Sequence, residues 1–247
     1  MRIRRWISLI LLVGLFSPAW GQQSELGIRF GFQLSSTYTW MVNSSNRINK
    51  AGGNWGAKAG LISEYFFTEN YAFISGIGFS FNQGGNLVHE SRGTYWAGSD
   101  IFPAPDTLPA GVNLGYSIQY LEIPLGLKMR TREFGYIRYF MEPHFILGFR
   151  TQARGEIEGT DIPDGFDRID IREDVNPVNV SVCVGGGIEY AISGTTTFIA
   201  GLNLQFGFVD VSRNLNLAVD PGDGGNFRAE NSKAVTNGVS IKLGIIF

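Results

Sequence analysis

The sequence predicts an all-β fold: an eight-stranded antiparallel transmembrane β-barrel with short periplasmic turns and long extracellular loops. Three observations predict it. Eight segments alternate apolar with small or polar residues at a period of two. The connections between them alternate short and long. Aromatic residues gather at both ends of the segments.

The last segment is the clearest. In residues 234–247, Val235, Val239, Ile241, Leu243, Ile245 and Phe247 share one side with Asn237. Ala234, Thr236, Gly238, Ser240, Lys242 and Gly244 take the other, and only Ile246 breaks the pattern. A strand with one face in lipid and the other toward a polar lumen has this form.

The earlier seven segments repeat it. Residues 26–40 set Ile28, Phe30, Phe32 and Leu34 against Arg29, Gly31, Gln33 and Ser35. Residues 54–67 set Trp55, Ala59, Leu61 and Tyr65 against Lys58, Gly60 and Glu64, and residues 71–83 set Phe73, Ile77, Phe79 and Phe81 against Gly76, Gly78 and Ser80. Residues 117–129 oppose Leu121, Ile123, Leu125 and Leu127 to Tyr120, Glu122, Gly126 and Lys128. Residues 136–152 oppose Tyr139, Met141, Phe145 and Phe149 to Arg138, Glu142, His144 and Arg150. In residues 178–190 four valines oppose Ser181, Cys183, Gly185 and Glu189, and in 195–209 Phe198, Leu202, Leu204 and Phe206 oppose Gly201, Asn203 and Gln205. The turns 68–70, 130–135 and 191–194 are short, whereas the connections 41–53, 84–116, 153–177 and 210–233 are long. Girdles are expected of Tyr65, Phe67, Tyr71, Phe73, Tyr190 and Phe247 at the periplasmic rim. Tyr38, Trp40, Trp55, Phe81 and Phe149 are expected at the outer rim.

Residues 1–21 have the form of a signal peptide. Arg2, Arg4 and Arg5 precede an apolar run, and Ala19-Trp20-Gly21 ends it. Residues 22–247 are then a single barrel domain, expected in a Gram-negative outer membrane after Sec-type export and signal cleavage. Without the signal the chain has 17 basic against 22 acidic residues, a net charge of −5, so no basic face for nucleic acid is expected. The lone Cys183 excludes an internal disulfide. A soluble barrel with this pattern would have to bury its charges or expose a continuous aromatic band, and both are costly.

The expected lumen is a polar network of Arg29, Lys58, Glu64, Glu122, Lys128, Arg138, Glu142, His144, Glu189 and Lys242. An eight-stranded barrel is just wide enough for side chains to fill it, and buried charges must pair. Closing the hairpin over 130–135 puts Lys128 near Arg138 and Glu122 near His144. The acidic 153–177 connection reads as a solvated, mixed-charge loop; its spacing does not fit a calcium loop. Trp96 and Phe102 in the 84–116 connection suggest either a partner surface or self-packing over the mouth. No catalytic, cofactor or metal residue is predicted. The enzymatic alternative, a lipid-modifying enzyme, would rest on His144 with a serine such as Ser181.

At Tyr120-Leu121-Glu122-Ile123-Pro124-Leu125, followed by Lys128, the chain resembles the PorT-like family of outer-membrane barrels. Gly76-Ile77-Gly78-Phe79-Ser80 and Gly185-Gly186-Gly187-Ile188-Glu189-Tyr190 are similar to that family too. The resemblance implies an eight-stranded Gram-negative outer-membrane barrel; the founding member is tied to a secretion and gliding machinery. Pro124 removes a ladder donor, so a bulge or distortion is expected there. The expected role is a non-enzymatic structural or accessory component of the envelope, and the alternative is membership of a secretion or surface-attachment complex. Expected partners are outer-membrane lipid, lipopolysaccharide, and the barrel-assembly machinery reading Phe247, with secretion-complex proteins under the alternative.

Overall fold

The structure, a computed structural model, describes residues 27–99, 107–159, 168–213, 217–220 and 226–247. The expected signal peptide (residues 1–21), Phe102, the Pro103-Ala104-Pro105 sequence, and Asp161, Asp164 and Asp167 lie outside the described residues. Among the described residues, eight long strands form the wall: β1 (Gly27–Asn43), β2 (Ile48–Phe66), β3 (Tyr71–His89), β4 (Val112–Arg130), β5 (Ile137–Glu158), β6 (Val178–Ser193), β7 (Thr196–Gly207) and β8 (Ala234–Ile246). Every strand pairs antiparallel with its sequence neighbours, and β1 pairs with β8 to close the ring. Closure removes the free edges that hydrocarbon cannot hydrate.

Alternation decides which face each residue takes. Leu202 is 58 % exposed on the outer surface, whereas Glu64 on the inner surface is 0 % exposed. Phe30, Phe32, Leu34, Leu61, Phe79 and Ile241 join Leu202 outside. Ring pairs continue the girdles: Tyr38 lies 5.2 Å from Trp55, and Phe67 lies 4.9 Å from Phe73. Phe247 exchanges backbone hydrogen bonds with Phe30, which holds the last residue on β1.

The strands outrun the lipid. β4 has 19 residues and β5 has 22, where a tilted strand crosses hydrocarbon in about 9–11. The surplus stands above the girdle of Trp55, Phe81 and Phe149. There the facing reverses: Leu87, Leu114, Tyr116, Ile118, Ala153 and Ile157 are buried inward, and Ser117, Gln119, Gln152 and Glu156 alternate outward. Below the girdle the barrel is apolar outside and polar inside; above it the order is that of a soluble protein.

Two bulges serve this reversal. The β3–β4 register shifts between Ser80 and Gln83, with Asn82 at φ 55. Inward positions are even-numbered up to Ser80 and then pass to Gln83, Leu87 and His89. The β4–β5 register shifts between Gln119 and Tyr120, and inward positions on β5 pass from Gly148 to Ala153 and Ile157. An extra residue on one strand swaps its faces.

Two expectations need correction, and a third is met in part. Residues 84–89, 112–116 and 153–158 lie in strands, not in loops; their apolar side faces inward, opposite to the lipid-embedded pattern. The β4–β5 hairpin pairs Arg130 with Phe140, Gly126 with His144 and Glu122 with Gly148, so Lys128 does not oppose Arg138, and Glu122, though not opposite His144, lines the same lumenal cavity with it. The turn pivots later than expected, on Gly135 at φ 68, with Phe134 and Ile137 exchanging backbone bonds. At Pro124, where a bulge or distortion was expected, there is a distortion without a bulge. The β3–β4 register is the same on both sides, at Ser75–Leu125 and Gly78–Glu122, and only the pairs between them are missing.

Candidate functional site

The lumen is built in layers. Nearest the periplasm, Glu64 on β2 accepts from Arg29 of β1 at 2.6 Å and from Lys128 of β4 at 2.5 Å. Glu189 on β6 pairs with the same Lys128 and lies 3.5 Å from both Arg29 and Arg130. Two carboxylates thus hold three cations. Phe66 packs between the guanidiniums of Arg29 and Arg130, at 4.6 and 3.9 Å from its ring centre. Arg138 stands at the edge, opposite Glu189 on the β5–β6 ladder and 3.1 Å from Glu133 in the turn.

The next layer centres on Phe140, with Lys128 and Lys242 over its ring at 4.4 and 4.8 Å. Ile246, the residue that broke the β8 pattern, is fully buried here with Phe140 and Ile199. Gly31 leaves it room, since a Cβ there would stand 2.6 Å from Ile246 Cγ1. Above lie two ion pairs. Lys242 of β8 pairs with Glu142 of β5. Lys58 of β2 spans the lumen to both oxygens of Glu122 at 2.9 Å and to Gln205 of β7 at 2.8 Å. Gln205 Nε2 then donates to Ser181 Oγ at 3.1 Å. His144 Nδ1 lies 3.0 Å from the Glu142 carbonyl oxygen and so donates to it. Cys183 is fully buried opposite His144 on the β5–β6 ladder.

Sequence reasoning missed Arg130, Phe66 and Phe140 as lumenal residues. Arg130 is the next inward position after Lys128 and was hidden by its assignment to the turn. Phe66 and Phe140 resemble lipid-facing residues by type, and only the parity of their strands marks them as inward.

An apolar cap closes the outer end. Tyr95 and Trp96 descend from the connection after β3 and are both buried. Trp96 has φ 53, its Nε1 donates to Tyr116 Oη at 3.0 Å, and the two rings meet edge-on. Gly155 is the notch that admits it: a Cβ there would stand 2.6 Å from the indole. The third connection is not simply solvated. Asp174 is 3 % exposed, accepts from Gly98 N at 3.0 Å and from Ser99 Oγ, and so ties the Arg172–Asp174 turn to the Ala97–Ser99 turn. Burial raises its carboxyl above the usual range. His89 packs against Tyr95 with ring centres 4.1 Å apart and planes inclined at 55°, and neither of its ring nitrogens is hydrogen-bonded. It lies above the outer girdle, clear of the spanning part of β3, and burial pushes its imidazole down to about 4.

A closed sheet with a greasy exterior, an ion-paired lumen and a soluble-type cap defines an integral outer-membrane barrel. The chain matches the outer membrane protein beta-barrel domain family over residues 20–213 and belongs to that family. No curated protein matches it. Among solved structures it is similar to Neisserial surface protein A, at 11 % identity over 89 % of this chain and 96 % of that one, with a TM-score of 0.46. It is also similar to OprG of Pseudomonas aeruginosa, at 9 % identity over 90 % and 96 %, TM-score 0.44. Ail, the attachment invasion locus protein of Yersinia pestis, in complex with the heparin analogue sucrose octasulfate, matches at 11 % identity over 90 % and 100 %, TM-score 0.40.

Proposed function

We propose that this chain is a non-enzymatic, non-conducting component of the outer membrane, exported by its signal segment, whose outward contacts run through its extracellular rim. The single observation that carries this is the doubly closed lumen: interlocked ion pairs cross the membrane layer, and Trp96 and Tyr95 are buried in the mouth. The polar partners support a structural role for His144 and Ser181. The histidine donates to a backbone carbonyl, and the serine accepts from Gln205. Planar-bilayer recording of the purified barrel tests it. No steady conductance is expected, and a reproducible open state of tens of picosiemens or more would overturn it.

A second role, in a secretion or surface-attachment complex as the PorT-like resemblance implies, is favoured by one feature. The β4–β5 ribbon rises clear of the lipid and presents Ser117, Gln119, Gln152 and Glu156 as a polar surface. Copurification of stoichiometric partner proteins from crosslinked envelopes is expected under this role, and isolation as a lone barrel counts against it.

A further inference from the structure

The layer of Lys58 and Lys242 contains a cavity of about 80 Å³ with an unusual lining. Ser35, Glu142 and His144 line it, and so do Leu61, Ile77 and Phe79, whose side chains are exposed on the lipid face of the wall. The wall is thin here for reasons written in the sequence. Gly60 and Gly78 face each other across β2 and β3, so close that a Cβ on Gly60 would stand 2.7 Å from Gly78 Cα. Neither supplies a lumenal side chain. Next to them Pro124 has no N–H to give, and the β3–β4 ladder lacks its pairs at Gly76 and Ile77. Inside, Glu142 is 3 % exposed; one oxygen pairs with Lys242, and Oε2 has no hydrogen-bond partner.

We propose that this is a lipid-accessible binding site, entered between β3 and β4 beside Pro124, for a single-chain amphiphile with a neutral, hydrogen-bond-donating head such as a monoacylglycerol or a long-chain alcohol. The chemistry of the lining selects the head. Lys58 is matched by Glu122 and Lys242 by Glu142, so an ionised head would bring an unpaired charge to membrane depth. The open position is an acceptor, and a hydroxyl satisfies it. The volume equals a few water molecules, which admits a head and leaves the chain outside. Leu61, Ile77 and Phe79 give that chain an apolar bed in the hydrocarbon.

The test uses the full chain in phosphatidylcholine nanodiscs with a monoacylglycerol carrying a diazirine on its glycerol. Residue-level mapping after illumination is expected to find the label on lumenal Ser35 or His144. An excess of oleyl alcohol should reduce that label at least tenfold, while oleate and oleylamine should not. Ser35→Leu, which fills the cavity from within, should abolish lumenal labelling and leave heat-modifiable migration intact. Label confined to lipid-facing residues overturns the proposal, as does equal competition by the charged analogues. Should Ser35→Leu fail to assemble, the mapping and competition on the unaltered protein still decide.

Discussion

At the scale of single residues, the lumen is a set of charges that cannot be removed singly. Glu64 is fully buried and holds both Arg29 and Lys128. Glu64→Ala leaves the buried Lys128 and the half-buried Arg29 each short of a partner, and breaking the buried pair costs about 3–5 kcal/mol. The expected outcome is a lower urea midpoint for the refolded barrel, with Glu64→Gln falling between the two. His89 makes a different prediction. Its ordinary value near 6.5 is depressed to about 4 in the folded cap, so the unfolded cap binds the proton more tightly. The contribution is fully present above about pH 6.5 and is lost as pH falls toward 4. It amounts to roughly 3 kcal/mol. Acid should therefore expose Trp96, seen as a red shift of its emission between pH 6.5 and 4, and His89→Phe should flatten that dependence. Asp174, which lines the same small cavity as His89 and whose carboxyl burial raises, makes its own contribution to the profile, and the histidine variant separates the two.

At the scale of elements, the cap and the strand extensions form one unit. Trp96 fits a notch that only glycine at position 155 allows, and Asp174 clasps the two loop turns together. Trp96→Ala should cost about 3–5 kcal/mol locally through the void it leaves. Limited proteolysis should then cut within 90–111 at least tenfold faster, while the membrane-embedded strands stay protected. The lipid-crossing parts of all eight strands were legible because alternation there has one sign, apolar out. Residues 84–89 and 112–116 were not legible as strand because the sign inverts above the lipid, and a bulge at Asn82 shifts the parity of β3 as well. The same limit applied to the β4–β5 register. Arg130 to Tyr136 contains no two-residue turn signal, so the pivot at Gly135 had to come from the packing of both strands.

At the scale of the whole molecule, one inside-out segment is joined to one ordinary segment, and each side of the sheet changes partner at the outer girdle. Leu202→Arg places a charge on the lipid face near mid-strand, which costs about 2–4 kcal/mol at the bilayer midplane. It should reduce folding yield in vesicles, whereas Gln119→Arg, on the outward face above the girdle, should leave the yield unchanged. The sequence by itself determined the barrel, its strand number, its closure and the identity of most lumenal charges. Dyad alternation and the length of a membrane crossing are local properties of the chain. Only the tertiary structure decided which charge meets which, that Lys58 reaches across to Gln205, that Trp96 seals the mouth, and that the ladder beside Pro124 loses two pairs without shifting register. Those outcomes depend on stagger between strands and on side chains meeting across the lumen, and such distances exist only once the sheet has closed on itself.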